Sequence, residues 1–265
     1  MDNPVMMSNA EYHADSAISK SDLDLINRSP AYYKYVKENP REQTAAMLFG
    51  SLVHKLVLEP NDFKNEYAVA PVADRRTSEG KKKWNEFLAN SEGKTVADIK
   101  TYTAACLAAE SVENHPVASK LLRGGQAENS YFWNENGVKC KCRPDYLRTD
   151  LKCVIDLKAT QNASPESFVK SAYDYRYHVQ AAWYLRGLRA CGADVENFVF
   201  IAVEKEPPYQ ACVFAADEEF IKLGEIDALD NLKTYEEAAR NNQWNGYENK
   251  IHGLTLPVWA LNRFR

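Results

Sequence analysis

Residues 152–158, Lys-Cys-Val-Ile-Asp-Leu-Lys, set an acid and an amine inside a run of strand-forming apolar residues. Side chains alternate between the faces of a strand, so Asp156 and Lys158 point the same way. Val154, Ile155 and Leu157 give the segment the character of a sheet core. Charges on a buried strand are costly unless they are paired or bound to a metal. An Asp-x-Lys pair by itself is usually a surface ion pair of little value. Here it follows a hairpin whose second arm carries Asp145 directly after Pro144. If that arm lies alongside, two carboxylates and one lysine converge. Paired carboxylates suit Mg²⁺, which prefers oxygen ligands and keeps several waters. A neighbouring lysine can position or help deprotonate a nucleophilic water. These are parts for hydrolysing a phosphodiester.

The periodicity predicts an order of elements around this strand. Helices are expected over 19–39, split at Pro30, and over 42–59, stopped by Pro60. Residues 68–80 read as an exposed loop. Helical patterns resume at 79–92 and at 95–123, with a break near Pro116. The period then changes to two, predicting strands over 127–134, 137–148 and 152–158. A helical block over 164–191, strands over 196–206 and 208–215, and a long helix over 217–243 follow. The apolar tail from Gly253 is expected to dock on the body. The order predicts a single α/β domain over 1–265: a mainly helical part over 1–123, then a catalytic α/β core over 124–265.

With 45% hydrophobic and 26% charged residues among 265, the composition is that of an ordinary globular protein. No apolar run approaches the ~20 residues needed to span a bilayer, and the opening residues lack a signal-peptide pattern. A net charge of −4 does not advertise nucleic-acid binding, but binding depends on where charge clusters. Six cysteines without such a signal read as reduced thiols of a cytoplasmic protein. Cys140 and Cys142 read as one face of a strand rather than half a zinc site. There is no Walker A motif, hence no built-in ATP use.

Pro144-Asp145 followed by Asp156-Leu157-Lys158 resembles the PD-(D/E)XK nuclease superfamily. The chain as a whole resembles the RecE-type exonucleases (exodeoxyribonuclease VIII) of the lambda-exonuclease and RecB-like group. Gly50-Ser51-Leu52-Val53-His54 resembles that group's G-x-x-[VL]-H helix motif, and Ala127-Glu128 opens the strand before the hairpin. Gln180 and Tyr184 resemble its Q-x-x-x-Y motif. Ile18-Ser19-Lys20-Ser21-Asp22-Leu23, followed by Ser29-Pro30, is similar to RecE-like N-termini.

The resemblance implies a central mixed sheet flanked by helices, with an α-helical N-terminal elaboration. It implies a Mg²⁺ site, with Mn²⁺ as substitute, held by Asp145, Asp156, the Leu157 carbonyl and His54. Lys158 is the implied water-activating residue, and Glu128, Gln180 and Tyr184 the implied supporting groups. The implied activity is ATP-independent 5′→3′ digestion of one strand of linear double-stranded DNA, leaving 3′ single-stranded tails for recombination. A ring-shaped homo-oligomer (trimer or tetramer) and a single-strand annealing partner of RecT type are implied too. A structure-specific endonuclease and a non-catalytic DNA-binding module are the alternatives. Two basic sets are candidate phosphate contacts. Arg75, Arg76, Lys81, Lys82 and Lys83 form a run; Lys139, Lys141 and Arg143 alternate along the hairpin arm, with Asp145 expected to continue their register.

Overall fold

A computed structural model describes residues 4–40 and 44–256. The chain opens with α1 (Asn9–Ala14), closed at its start by a reciprocal Ser8–Glu11 capping box. Ser19 and Asp22 form a second box for α2 (Lys20–Arg28), and Ser29 caps α3 (Pro30–Glu38). Pro30 separates these two helices as expected, because a proline at the first helical position gives up no hydrogen bond. Thr44 caps α4 (Ala45–Leu58). Then come α5 (Phe63–Glu66), β1 (Tyr67–Val69), α6 (Ser78–Asn90), β2 (Thr95–Ala97), α7 (Ile99–Asn114) and α8 (Ala118–Leu121).

The second half supplies β3 (Gln126–Ala127), β4 (Tyr131–Glu135), β5 (Val138–Cys142), β6 (Tyr146–Arg148) and β7 (Cys153–Thr160). After these follow α9 (Pro165–Asp174), α10 (Tyr177–Ala190), β8 (Asn197–Glu204), β9 (Ala211–Ala215) and α11 (Glu218–Asn241). Five strands form one mixed sheet in the order β3-β6-β7-β8-β9. β7 is central, antiparallel to β6 and parallel to β8. One face of the sheet, with Val154 and Phe198, packs on Trp183, Leu185, Leu188 and Phe168 from α9 and α10. The other face, with Ile155, Leu157, Ile201 and Val203, packs on Leu52 and Val53 of α4 and on the alanines of α7. Burial on both faces explains the near-continuous apolar run of β7.

Two expected strands each divide. Between β3 and β4, Glu128 adopts a left-handed conformation (φ 54°) that ends the first run. In the second, Pro144 has no N–H to offer a ladder, and the strand stops at Cys142. The pieces part company: β3 and β6 join the main sheet, while β4 and β5 pair as a separate antiparallel hairpin. Asp145 therefore lies in a loop and does not continue the register of Lys139 and Lys141, correcting the expectation from alternation.

Thr95–Ala97, expected as helix, is instead a strand paired in parallel with Tyr67–Val69. Three residues are too few for a period to declare itself. The tail expected to dock is fully exposed at Leu254, and residues 257–265 lie outside the described set. Among the described residues no helix is long and apolar enough to cross a membrane. All six cysteines are free thiols, and Cys140 and Cys142 share β5, both buried.

Candidate active site

The two packing faces of β7 bring α4 and α10 to opposite sides of one strand. On the α4 side, Leu52 and Val53 sink into the core. The following residue, His54, comes down on the backbone of β7, its Nε2 2.6 Å from the Leu157 carbonyl oxygen. Its Nδ1 is 3.5 Å from Asp145 Oδ2. That same carboxylate oxygen accepts the Leu157 N–H at 2.8 Å, tying the 143–145 loop to the strand. The backbone N–H of Glu128 donates to the Asp145 carbonyl. The left-handed turn at Glu128 thus stands beside Asp145.

The ligating atoms of His54, Glu128 and Asp145 all lie within 4.8 Å of one another. Gly50, one turn before His54, borders the same cleft, where an added Cβ would meet no atom within 4 Å. The sequence motif Gly50…His54 therefore marks a cleft wall rather than a tight packing contact.

The field here is that of a site waiting for positive charge. Burial, then Asp145, then Glu59 push the Glu128 carboxyl up to about 8. An imidazole, two carboxylates and a peptide carbonyl, with Glu128 raised even against Arg143 and Lys55, fit a divalent cation. Mg²⁺ favours the oxygens, and the nitrogen ligand suits Mn²⁺ equally.

This arrangement has a pH signature. The unfolded chain loses the Glu128 proton near the ordinary glutamate value, the folded chain near 8. Raising the pH across that window should therefore cost the metal-free protein stability. The difference in melting temperature between wild type and Glu128→Gln should widen in the variant's favour from pH 5 to 8. Saturating divalent cation should close it. Parallel pH profiles in EDTA would show that Glu128 ionises normally.

On the α10 side Asp156 is fully buried. Lys158 Nζ lies 2.6 Å from its Oδ1, and the Gln180 carboxamide donates to its Oδ2. Burial, with Asp145 second, raises Asp156 to about 6 even against Lys158. Burial pulls the Lys158 ammonium down, but Asp156 and Asp145 outweigh it and hold it above the ordinary lysine value. Lys158 is thus a cation in this arrangement. It lies 4.8 Å above the Tyr177 ring, a contact that reading the sequence missed. Tyr177 stands three residues before Gln180, on the same helical face; that spacing is the signal that could have found it. Tyr184, one turn after Gln180, lines the same cleft. The expected ligand Asp156 thus stands apart from the three-residue cluster, its carboxylate engaged by Lys158 and Gln180.

Two clefts meet at Glu128 and Arg143. One, of about 370 Å³, holds His54, Lys55, Glu59 and Glu66. The other, of about 780 Å³, holds Lys20, Lys37, Lys158, Gln180 and Tyr184. Residues of α1 line both.

The hairpin cations are engaged by the N-terminal segment. Lys141 is buried and donates to the carbonyls of Tyr12 and Asp15. Arg143, also buried, donates to Ser130 and to the carbonyls of Met7 and Ser8. Both flank the Tyr12 ring at 4.5 and 4.2 Å. Their charges clamp the N-terminal segment, and both also border the larger cleft. Lys139 is paired with Asp15 at 2.8 Å. The other basic set is exposed: Arg75 stacks on Trp84, Arg76 pairs with Asp74, Lys82 lies 3.9 Å from Glu86, and Lys81 and Lys83 reach solvent from α6.

Residues 19–254 match the model of a family described as a PDDEXK-like domain of unknown function (DUF3799). The chain belongs to that family. It shares its fold with a protein from Eubacterium rectale, described as a "putative exonuclease". That crystal structure superposes with a TM-score of 0.63 at 13% identity, over 97% of this chain and 98% of the other. A phage related exonuclease from Haemophilus somnus 129PT aligns over 89% of this chain and 90% of its own, at 11% identity and a TM-score of 0.42. No curated protein matches. The PD-(D/E)XK fold expected from the motif is the fold observed.

Proposed function

We propose that this protein is a divalent-cation-dependent DNA exonuclease. It digests one strand of linear double-stranded DNA 5′→3′, without ATP, and leaves 3′ tails for recombination. The observation that carries the reading is the convergence of His54, Glu128, Asp145 and the Leu157 carbonyl next to a buried Asp156–Lys158 pair. That set stands at the junction of two clefts. Direction and end-dependence come from the likeness to RecE-type exonucleases, as do a ring-shaped homo-oligomer and a RecT-type annealing partner.

When bound, Mg²⁺ or Mn²⁺ supplies Lewis-acid stabilisation and lowers the pKa of water. His54, Asp145 and the Leu157 carbonyl would hold it, and Glu128 would complete the shell. Asp156 orients Lys158 through the 2.6 Å ion pair. The ammonium of Lys158 faces the cleft, where it positions the attacking water and offsets negative charge gathering on the phosphate. Gln180 fixes the second oxygen of Asp156, so the carboxylate cannot rotate away from the lysine.

Digestion of end-labelled linear duplex with Mg²⁺ tests the reading, beside an EDTA control and a closed circular duplex. Loss of linear DNA from the 5′ end, with the circle intact, is the expected result. Cutting of the circle would make this an endonuclease, and full activity in EDTA would end the metal-dependent reading.

The exposed run on and before α6 would hold duplex backbone without reading sequence. Replacing Lys81, Lys82 and Lys83 together by glutamine should weaken duplex binding. It should also reduce the slope of log affinity against log salt by up to about three ions. An unchanged slope in a filter-binding or anisotropy titration would leave the run a solvated face.

A further inference from the structure

The turn between α9 and α10 breaks a local rule. Arg176, at the N-cap of α10, sits at φ 55°, ψ 45°. A left-handed conformation is costly for residues with a Cβ, and glycine or asparagine is the usual choice. An arginine that keeps this conformation has to be held from outside.

Its side chain shows what holds it. It is 14% exposed and runs between two helices remote in sequence. Nε is 3.5 Å from Asp24 Oδ1 on α2, and an NH2 donates to Asn231 Oδ1 on α11 at 2.6 Å. Asp227, also on α11, lies at 4.0 Å. Lys20 braces the same turn from α2, pairing with Asp24 at 2.7 Å and donating to the Tyr175 carbonyl.

Directly after this anchor come the two side chains that finish the Asp156–Lys158 pair. Tyr177 lies under Lys158, and Gln180, whose N–H donates to the Arg176 carbonyl, bonds Asp156.

We propose that Arg176 is a positioning residue for the cleavage reaction. Its guanidinium, seated between Asp24 and Asn231, sets the first turn of α10, so that Gln180 stays on Asp156 and Tyr177 stays beneath Lys158. The inference rests on the nuclease reading for its effect on rate, but its geometric half stands on the metal-free protein. Arg176 lines neither cleft; it acts through Gln180.

The test uses three variants of the full chain. Arg176→Gly accepts the backbone conformation and deletes the anchor. Arg176→Lys keeps the charge. Asn231→Ala removes the 2.6 Å bond from the far side. Single-turnover cleavage at saturating duplex and Mg²⁺ should slow by roughly 10–100-fold in Arg176→Gly, with KM for DNA unchanged. Arg176→Lys should recover part of the rate. In isotope-labelled, metal-free protein, the side-chain carboxamide resonance of Gln180 should move to the position of a free glutamine in Arg176→Gly. If the Arg176 variants do not fold, Asn231→Ala carries both readouts at smaller amplitude.

A lowered melting temperature with the wild-type rate at saturation and an unmoved Gln180 resonance would reduce Arg176 to a structural anchor and overturn the proposal. If the wild-type protein cleaves nothing with Mg²⁺ or Mn²⁺, the nuclease reading fails. The Gln180 resonance then decides the placement role alone.

Discussion

Asp145→Asn is expected to abolish cleavage while leaving the metal-free protein about as stable as wild type. The loss should be about four orders of magnitude, the scale seen when one member of a catalytic unit is removed. The two effects share a cause. Asp145 raises the carboxyls of both Glu128 and Asp156 while supporting the Lys158 ammonium, so removing its charge leaves the metal-free fold with opposing effects that offset one another. An asparagine can still accept the Leu157 N–H that Asp145 accepts at 2.8 Å, so the loop stays attached to β7. What disappears is the charge that draws a divalent ion between His54 and Glu128. Thermal melts read both halves. In EDTA the variant should melt close to the wild-type temperature. Millimolar Mn²⁺ or Mg²⁺ should raise the wild-type melt by mass action on the folded state and leave the variant where it was. A variant that keeps the cation-induced shift would show that the ion is held elsewhere, and the three-residue cluster would lose its role.

How much of this site could be read from the residues follows from the range of the interactions involved. Asp156 and Lys158 were legible because a two-residue period within an apolar run is a local signal, and β7 obeys it. His54 was legible only through the resemblance of Gly50-Ser51-Leu52-Val53-His54 to a known helix motif. The partners of Lys141 and Arg143 were not legible, because alternation gives a face but not what covers it. Those partners, the carbonyls of Tyr12, Asp15, Met7 and Ser8, lie 126–136 residues away in sequence. A short polar run before α2 gave no sign that it would lie over the hairpin. Glu128 was named through the resemblance, but its backbone conformation, like that of Arg176, was opaque for a related reason. Both adopt left-handed conformations that no local preference of glutamate or arginine announces. Each is held by contacts that exist only after the strands and helices have met. The division of the hairpin arm at Pro144 was, by contrast, written in the chain: a proline inside a predicted central strand argues against its continuity.

Lys158 offers the sharpest separation of stability from chemistry. Lys158→Met removes the partner of a carboxylate that is fully buried, and breaking one side of a buried pair costs about 3–5 kcal/mol. Asp156 already sits at about 6 with its lysine in place, and without the lysine it moves higher. Its folded-state value then stands further above the unfolded one, so the variant loses stability as pH rises and recovers it on acidification. The deficit against wild type should therefore be large at pH 8 and small at pH 5. Asp156→Asn combined with Lys158→Met removes both charges of the pair, and Gln180 keeps a neutral partner. The double variant should regain most of the lost melting temperature and lose the pH dependence. It should still cleave at least 10²–10³-fold more slowly than wild type, the scale of losing one preorganised electrostatic donor. A stable but inactive double variant is what a working buried pair requires: its charges are unfavourable for folding and are kept for what they do to the phosphate. If the double variant is as unstable as Lys158→Met, the pair is part of the scaffold. If it cleaves like wild type, the lysine has no part in the reaction.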